Sequence, residues 1–322
     1  MRIRVLTELL AKASLSAMLG VAALLGSCIK DDLSNCPPHY NVHLRLKTDA
    51  EVTGTTNYLD RYGIETVTVY VFDKDGKFVT LWNGGPYTIG QEYDIPLHLG
   101  SGKYTFVAVT NLGDTYTTNY TVDELYAQKP SINEVLMSLN VPAGGIISGD
   151  IPDLHYGVLP DKTIDGLQSY NLDMVVAPKT YKVNFTVTGV NNTGVYTFDV
   201  SDTPYSSTLN DVVTVPQPRM DDHYRRNGQF TGNQLTTSMI MVDLASGKNM
   251  PFTITNSVTG EVYSGDLINM IETAYRNSPN LATLFDNTFE FNIELSLASD
   301  MSVTITVNGW KYQDTGGDKP LY

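Results

Sequence analysis

Residues 289–297 read Phe-Glu-Phe-Asn-Ile-Glu-Leu-Ser-Leu, and every second side chain in this stretch is apolar. A period of two is typical of a β-strand with one buried face, because successive side chains of a strand point to opposite faces. Residues 301–307 repeat the pattern after a short polar break, with Val303 and Ile305 on the apolar face. The two segments predict a pair of strands and therefore a sheet-based core.

The same signal recurs along the chain, and it predicts an all-β fold with a few short helices. Further strands are predicted at residues 41–47, 66–72, 77–82, 93–99, 102–110, 172–177, 182–190, 196–200, 212–215, 238–242, 250–255 and 261–264. Helices are predicted after the capping box of Thr121 and Glu124 and over residues 266–276, where apolar residues recur at helical spacing. Residues 131–139 are a third helical candidate, and the Gly- and Pro-rich residues 142–165 are predicted to be a loop.

Chain length and pattern together predict two domains. The chain has 322 residues, which suits one large domain or two of ordinary size. The strand pattern restarts after Pro178, and many short strands with turns between them favour β-sandwiches over βαβ units. We therefore predict an N-terminal sandwich over residues 40–178 and a C-terminal sandwich over residues 179–322.

The composition narrows the classes of function. The formal net charge is −14, which argues against a nucleic-acid partner, because binding to phosphates needs clustered Lys and Arg. Two cysteines are too few for a disulfide scaffold.

The N-terminus carries a signal for export and lipidation. Basic residues precede the apolar run of Ala13 to Gly26, which is shorter than the ~20 residues that a membrane-spanning helix needs, so residues 1–27 are predicted to be a signal peptide. The run ends in Leu25-Gly26-Ser27-Cys28, which resembles a bacterial lipobox. The resemblance implies cleavage between Ser27 and Cys28, with acylation of Cys28 and attachment to membrane lipid.

Residues 28–39 are then predicted to be a lipidated tether. Lys30-Asp31-Asp32 resembles the export signal of lipoproteins that reach the outer face of the outer membrane, and a merely solvated charged tether is an equal alternative. Cys36 has no intramolecular partner once Cys28 is acylated.

No arrangement of residues predicts catalysis, a cofactor or a metal ion. The histidines at 39, 43, 98, 155 and 223 are scattered, and Asp73-Lys74-Asp75-Gly76 lacks the spacing of a calcium loop and suits a turn. Two alternatives remain open. Trp82 and Trp310 suit a sugar-binding protein, whereas the acidic pair Asp221-Asp222 would suit a hydrolase only if a cleft places two carboxylates correctly.

Four stretches of the chain share one further resemblance. The first, residues 28–37, reads Cys-Ile-Lys-Asp-Asp-Leu-Ser-Asn-Cys-Pro and combines a lipid cysteine, an acidic pair and a Ser-x-Cys-Pro step. The others are residues 69–73, 104–111 and 307–310, which read VYVFD, YTFVAVTN and VNGW. Together they resemble one family, the FimB-like fimbrillin-associated anchor lipoproteins.

The resemblance implies a structural protein and not an enzyme. It implies two tandem transthyretin-like, Ig-like β-sandwiches in a lipoprotein of the cell outer membrane, exposed at the base of a fimbria. Its partners would be fimbrial stalk subunits, and its role would be to retain the fimbria and limit its length. Surface glycan binding is the alternative function, and a hydrolase is a third.

A joint with the stalk follows from the physics of sheet edges. An open edge accepts a strand from a neighbouring subunit, which satisfies the unpaired N–H and C=O groups. In the related stalk subunits, proteolysis after an Arg removes the leading strand. Here Arg45 and Arg61 lie between the lipid and the core, and we predict that this chain keeps its N-terminal segment. Residues 311–322 are a weak candidate for a donated strand.

Overall fold

Strands account for most of the chain, which confirms the predicted all-β class. The computed structural model describes residues 40–47, 64–85, 94–166, 168–201, 206–210, 222–300 and 302–314. In chain order the strands are β1 Val42–Lys47, β2 Val67–Asp73, β3 Phe78–Gly84, β4 Ile95–Leu97, β5 Gly102–Thr110, β6 Tyr116–Thr118, β7 Leu136–Leu139, β8 Ile146–Ile147, β9 His155–Ile164, β10 Tyr170–Val175, β11 Ala177–Pro178, β12 Thr180–Thr188, β13 Tyr196–Ser201, β14 Ser206–Thr208, β15 His223–Asn227, β16 Gln229–Thr231, β17 Gln234–Val242, β18 Pro251–Asn256, β19 Gly260–Asp266, β20 Glu290–Leu297, β21 Val303–Val307 and β22 Trp310–Asp314.

Three short α-helices complete the secondary structure of these ranges. They are α1 Val122–Gln128, α2 Leu267–Tyr275 and α3 Leu284–Asn287, with a 3₁₀ turn at Leu281–Thr283. The predicted capping box begins α1, since Thr121 accepts from the Glu124 amide while Glu124 accepts from the Thr121 amide. Asp266 caps α2, and the residues predicted to share its apolar face are buried. Among the described residues, no helix is both long and apolar enough to cross a membrane.

Two sheets enclose the core of a first sandwich. One has the strand order β10-β1-β4 and the other the order β11-β9-β5-β2-β3. The buried side chains between them come from both sheets and include Val42, Leu44, Val69, Phe106 and Met174. Every second residue of β1 is buried in this core, as the period of two in the sequence predicted.

A second pair of sheets forms a sandwich from the later strands. Their orders are β16-β17-β12-β20-β21-β22 and β19-β18-β13-β15-β8. The Phe185 and Phe252 rings stack between them with centroids 4.7 Å apart, and the strictly alternating β20 contributes buried Phe291, Ile293 and Leu295.

One sheet contributes to both cores. In β2, Val67, Val69 and Val71 lie in the first core, whereas Tyr70 and Phe72 on the opposite face join the core that extends through the second sandwich. Burial on both faces explains why nearly every side chain of β2 is buried, although an isolated half-buried strand would alternate.

Strand pairing also crosses the predicted division after Pro178. The short strand β8 pairs with β15, and β14 pairs with β7 in a three-stranded sheet completed by β6. All described elements from Asn41 onward belong to one compact unit. These pairings do not test the predicted domain limits, 40–178 and 179–322, which stay a prediction.

Two local predictions are wrong. Residues 131–139 form a turn followed by β7 and contain no helix, and residues 142–165 contain β8 and the ten-residue β9. In β9 the Pro160 and Asp161 that suggested a loop lie where pairing with β5 is irregular, and Asp161 has a φ of 59°. A β-bulge therefore places turn-forming residues inside a strand.

The buried His155 makes stability depend on pH. Its side chain is 0% exposed beside Thr110, and burial lowers the pKa of its imidazole to about 4. Below the ordinary pKa of 6.5, the unfolded chain binds a proton that the folded chain does not. Stability should be unaffected by this group above that value and should fall as pH drops towards 4, by about 2 kcal/mol at about pH 5.

Urea unfolding at several pH values measures this slope. His155→Gln removes the titrating group and should flatten the slope, whatever its effect on stability at neutral pH. The exposed His98 is the control, because His98→Gln should leave the slope unchanged. An equal slope in the wild type and His155→Gln would contradict the prediction.

Candidate functional site

The leading strand β1 is the point at which the predicted tether joins the fold. It lies in the middle of its sheet, parallel to β10 on one side and antiparallel to β4 on the other. Its pairing with β10 covers all six of its residues, from Val42 opposite Tyr170 to Lys47 opposite Val175. Its pairing with β4 covers Val42 to Leu44, so the first half of β1 has a partner strand on both sides.

Asn41 fixes the start of β1. Its side-chain amide donates to the Leu99 carbonyl at 2.7 Å, and its side-chain oxygen accepts from the Leu99 amide at 2.8 Å. Its backbone amide donates to the Leu97 carbonyl, and its carbonyl accepts from the Tyr170 amide. Asn41 is buried, so these bonds satisfy polar groups that water does not reach.

The outward face of β1 carries His43, Arg45 and Lys47, and each of these side chains has an acidic neighbour. His43 lies 2.9 Å from Asp94, whereas Arg45 and Lys47 both contact Asp173 of β10, at 2.9 and 2.7 Å. Hydrogen bonding from Lys47, with help from Arg45, lowers the pKa of the Asp173 carboxyl. The polar face that the sequence predicted therefore holds β1 to both neighbouring strands.

The free edges of the sheets are the second feature of the site. The edge strands β4, β8, β11 and β16 have at most three residues each, and β4 contains Pro96. The longer edge strands are β3, β10, β19 and β22. Helix α1 covers β3, where the Tyr126 hydroxyl lies 3.0 Å from Thr80 Oγ1 and accepts from the Leu81 amide.

The two tryptophans occupy different environments. Trp82 lies in β3 and is partly buried against the first core. Trp310 begins β22, is 43% exposed, and has its ring 5.8 Å from that of Tyr275. Of the two residues proposed for sugar stacking, only Trp310 is exposed.

The four histidines that the structure describes have separate environments. His43 and His223 pair with Asp94 and Asp199 respectively, His98 is exposed and His155 is buried. In the ranges that the structure describes, no group of three or more His, Cys, Asp or Glu side chains is placed to hold a metal ion. The Asp73–Gly76 segment forms the predicted turn, with Gly76 at a φ of 71°.

Several predicted residues lie outside the described ranges. They are Ser27, Cys28, Lys30, Asp31, Asp32, Cys36, His39, Arg61 and Asp221, and the strand predicted at residues 212–215 also lies outside them. Asp222, the neighbour of Asp221, is described and is 4% exposed. Cleavage, lipidation and the pairing of the two acids therefore stay predictions.

Two β-sandwiches, joined through a sheet that packs into both cores, define an all-β protein. The family model for fimbrillin-A associated anchor proteins Mfa1 and Mfa2 matches residues 33–316. The chain belongs to this family, as the sequence resemblance predicted. It is a family of structural proteins of fimbriae, associated with the cell surface, and is not a known family of enzymes.

Solved structures share the fold. A protein from Bacteroides thetaiotaomicron described as a candidate polysaccharide-binding protein has a TM-score of 0.71 at 17% identity, over 86% of this chain and 99% of its own. The fimbrial anchor protein Mfa2 from Porphyromonas gingivalis has a TM-score of 0.63 at 20% identity, over 85% of this chain and 98% of its own. A candidate adhesin from Bacteroides thetaiotaomicron has a TM-score of 0.64 at 16% identity, over 87% of this chain and 99% of its own. No curated protein sequence matches the chain significantly.

The two side-chain hydrogen bonds between Asn41 and the backbone of Leu99 should contribute measurably to stability. Asn41→Ala leaves the Leu99 amide and carbonyl without these partners, so we expect a loss of about 1–3 kcal/mol in the free energy of unfolding. Chemical denaturation measures it. The control is Asn171→Ala, on the exposed face of β10, which should change stability by less than about 0.5 kcal/mol. Equal losses of stability in the two variants would show that the Asn41–Leu99 hydrogen bonds do not contribute the predicted free energy.

Proposed function

We propose that this chain is a lipid-anchored subunit at the base of a fimbria, where it holds the stalk to the outer membrane and limits its length. Membership of the anchor family supports the first part, and the central docking of β1 is the observation that carries the mechanism. An anchor transmits force from the stalk to the lipid, so its connection to the tether must not come loose.

The position of β1 suits this load. Tension on the tether pulls along the strand, while the backbone hydrogen bonds to β10 and β4 lie across it. The bonds to β10 along the whole of β1, and those to β4 along Val42 to Leu44, must therefore yield together before β1 leaves the sheet. Three buried apolar side chains, Val42, Leu44 and Leu46, add about 1.5–3 kcal/mol each.

The same docking supports retention of the N-terminal segment. Arg45 lies within β1, where it pairs with Asp173 of β10, and its guanidinium contacts the Asp173 side chain. A protease must bind its substrate as an accessible, extended segment, which a central strand does not offer. Cleavage after Arg45 would require opening of the sheet.

In this proposal, acyl chains on Cys28 attach the protein to the membrane. Several acyl chains give stable membrane binding, whereas one chain is marginal. The Lys30-Asp31-Asp32 segment would direct the lipoprotein to the cell surface, where the fimbrial base lies.

Loss of the lipid should release fimbriae. Electron microscopy of cells lacking the gene, beside cells that express Cys28→Ala, should show long fimbriae shed into the medium in both. Ser27→Ala is the matched control, because it keeps a small residue before the cleavage point and should retain fimbriae. Mass spectrometry of the wild-type protein from the same membranes should find acylated Cys28 at the N-terminus.

Two results would contradict the proposal. Normal, retained fimbriae on both mutant strains would remove the anchoring role. Membrane-free wild-type protein that begins after Arg45 would remove the retained N-terminal segment.

We further propose that the stalk joins by β-strand addition at β22. This strand ends a six-stranded sheet, and none of the described strands pairs with its outer edge. The other long edges are less suitable. Helix α1 covers β3, β19 has an irregular register and leads directly into α2, and β10 lies beside β9.

The register of β22 identifies its outward-facing backbone groups. A two-residue turn, Asn308-Gly309, joins it to β21, so Val307 and Trp310 form a hydrogen-bonded pair. Pairs then alternate, and the N–H and C=O of Lys311 point away from β21. These groups would bond to the added strand.

Lys311→Pro tests this joint. Proline removes the outward N–H without removing a bond to β21, and edge positions tolerate proline. We expect a folded, membrane-bound anchor that no longer retains fimbriae, scored by shed fimbriae in the medium. Lys311→Ala is the control, because it keeps the N–H and should retain fimbriae. Full retention by Lys311→Pro, with thermal stability equal to the control, would exclude this edge.

Glycan binding is the second candidate function. It is favoured by the accessible ring of Trp310 and by the description of one structural relative as a candidate polysaccharide-binding protein. Loss of polysaccharide binding on Trp310→Ala, but not on Trp82→Ala, is the result that agrees with the exposure of the two rings.

A further inference from the structure

The outer face of the sheet β19-β18-β13-β15-β8 carries a polar groove of about 510 Å³. Its walls come from the adjacent strands β15, β13 and β18. Asp199 of the central strand lies opposite Arg225 on one side and Thr253 on the other. The hydroxyl groups of the floor belong to Thr197, Ser201, Thr253 and Thr255.

Asp199 organises this groove. Its side chain is 13% exposed, with Oδ1 lying 2.5 Å from His223 Nδ1 and Oδ2 accepting a hydrogen bond from Arg225 Nε. Both oxygens are therefore engaged with protein groups. The carboxylate fixes the orientation of the imidazole and the guanidinium.

Each of these two side chains keeps a hydrogen-bonding group for a ligand. The Arg225 side chain is 40% exposed, and among the described residues its Nη groups have no acceptor. A guanidinium with free Nη groups matches the geometry of a carboxylate. A carboxylate such as Asp199 only accepts, so His223 Nδ1 carries a proton, and Nε2 is the second ring nitrogen that can form a hydrogen bond.

The available groups define a ligand that has both charge and hydroxyls. The groove offers N–H donors for an anion and an imidazole nitrogen for a hydroxyl. In its floor, the Thr197 and Ser201 hydroxyls donate to Asn227 and to the Pro251 carbonyl and keep lone pairs that accept, whereas the Thr253 and Thr255 hydroxyls can donate and accept. The chain as a whole is strongly acidic, with a net charge of −14, so an anion would need a fixed cation of this kind to bind.

We propose that this groove binds a carboxylate-bearing saccharide, such as a uronic-acid unit of an acidic polysaccharide. Arg225 pairs with the carboxylate, while His223 and the threonine hydroxyls bond to the ring hydroxyls. The inference rests on the second candidate function, glycan binding, and assigns it a place and a class of ligand. It does not depend on the anchoring role or on Trp310.

Calorimetric titration of the intact protein with trigalacturonate and with its neutral counterpart, galactotriose, tests the proposal. We expect the acidic sugar to bind more tightly. Arg225→Gln should weaken its binding by about tenfold or more, as loss of a charge-assisted hydrogen bond implies. The matched control is Arg276→Gln, an exposed arginine at the end of α2, which should leave the affinity within about twofold.

A second variant separates the orientation of Arg225 and His223 by Asp199 from simple charge attraction of the acidic sugar. Asp199→Asn makes the groove more positive, so attraction alone predicts tighter binding of the acidic sugar. The positioning role of Asp199 predicts weaker binding although Arg225 is still present. Thermal unfolding of each variant shows whether the fold is intact.

Several outcomes would overturn the proposal. They are equal binding of the two sugars, unchanged affinity in a folded Arg225→Gln, or no binding of either at millimolar concentration, which would also remove the glycan function. Acidic-sugar binding that survives Arg225→Gln but is lost in Trp310→Ala would keep glycan binding and move its site. A glutamate-rich peptide that binds as tightly, with the same loss in Arg225→Gln, would replace the saccharide with an acidic peptide.

Discussion

Burial of strand β2 on both faces is the constraint on which the rest of the structure depends. Its valines pack into the first core, and its Tyr70 and Phe72 pack into the second. Burial in the second core raises the pKa of the Tyr70 hydroxyl to about 12, as expected where a charged form would lose its hydration. Neither sandwich can shift against this strand without disturbing its own packing.

Mechanical continuity follows from this shared strand. The predicted tether leads into β1, β1 packs into the first core, and β2 connects that core to the second one. The pairings of β8 with β15 and of β14 with β7 reinforce the connection with backbone hydrogen bonds. Force applied at β22 can therefore reach β1 through packed cores and strand pairs, without passing through an exposed linker among the described residues.

Ionic contacts contribute position more than stability. The pairs on the outer face of β1 are partly exposed, and exposed pairs contribute about 0–1 kcal/mol each. Their value lies in orientation, since Asp173 aligns two cations along β10 and Asp199 aligns two groups over the groove. The apolar cores supply most of the free energy that resists unfolding.

The sequence by itself determined the class of fold, because alternation in segments such as residues 289–297 depends only on the strand period. It also predicted the polar face of β1, the cap of α1 and the family. Tertiary structure alone decided the burial of β2 on both faces, the β9 bulge at Pro160 and Asp161, and the meeting of Asp199 with His223 and Arg225. These features depend on pairings between residues far apart in the chain. Local periodicity carries no information about which distant strand lies alongside.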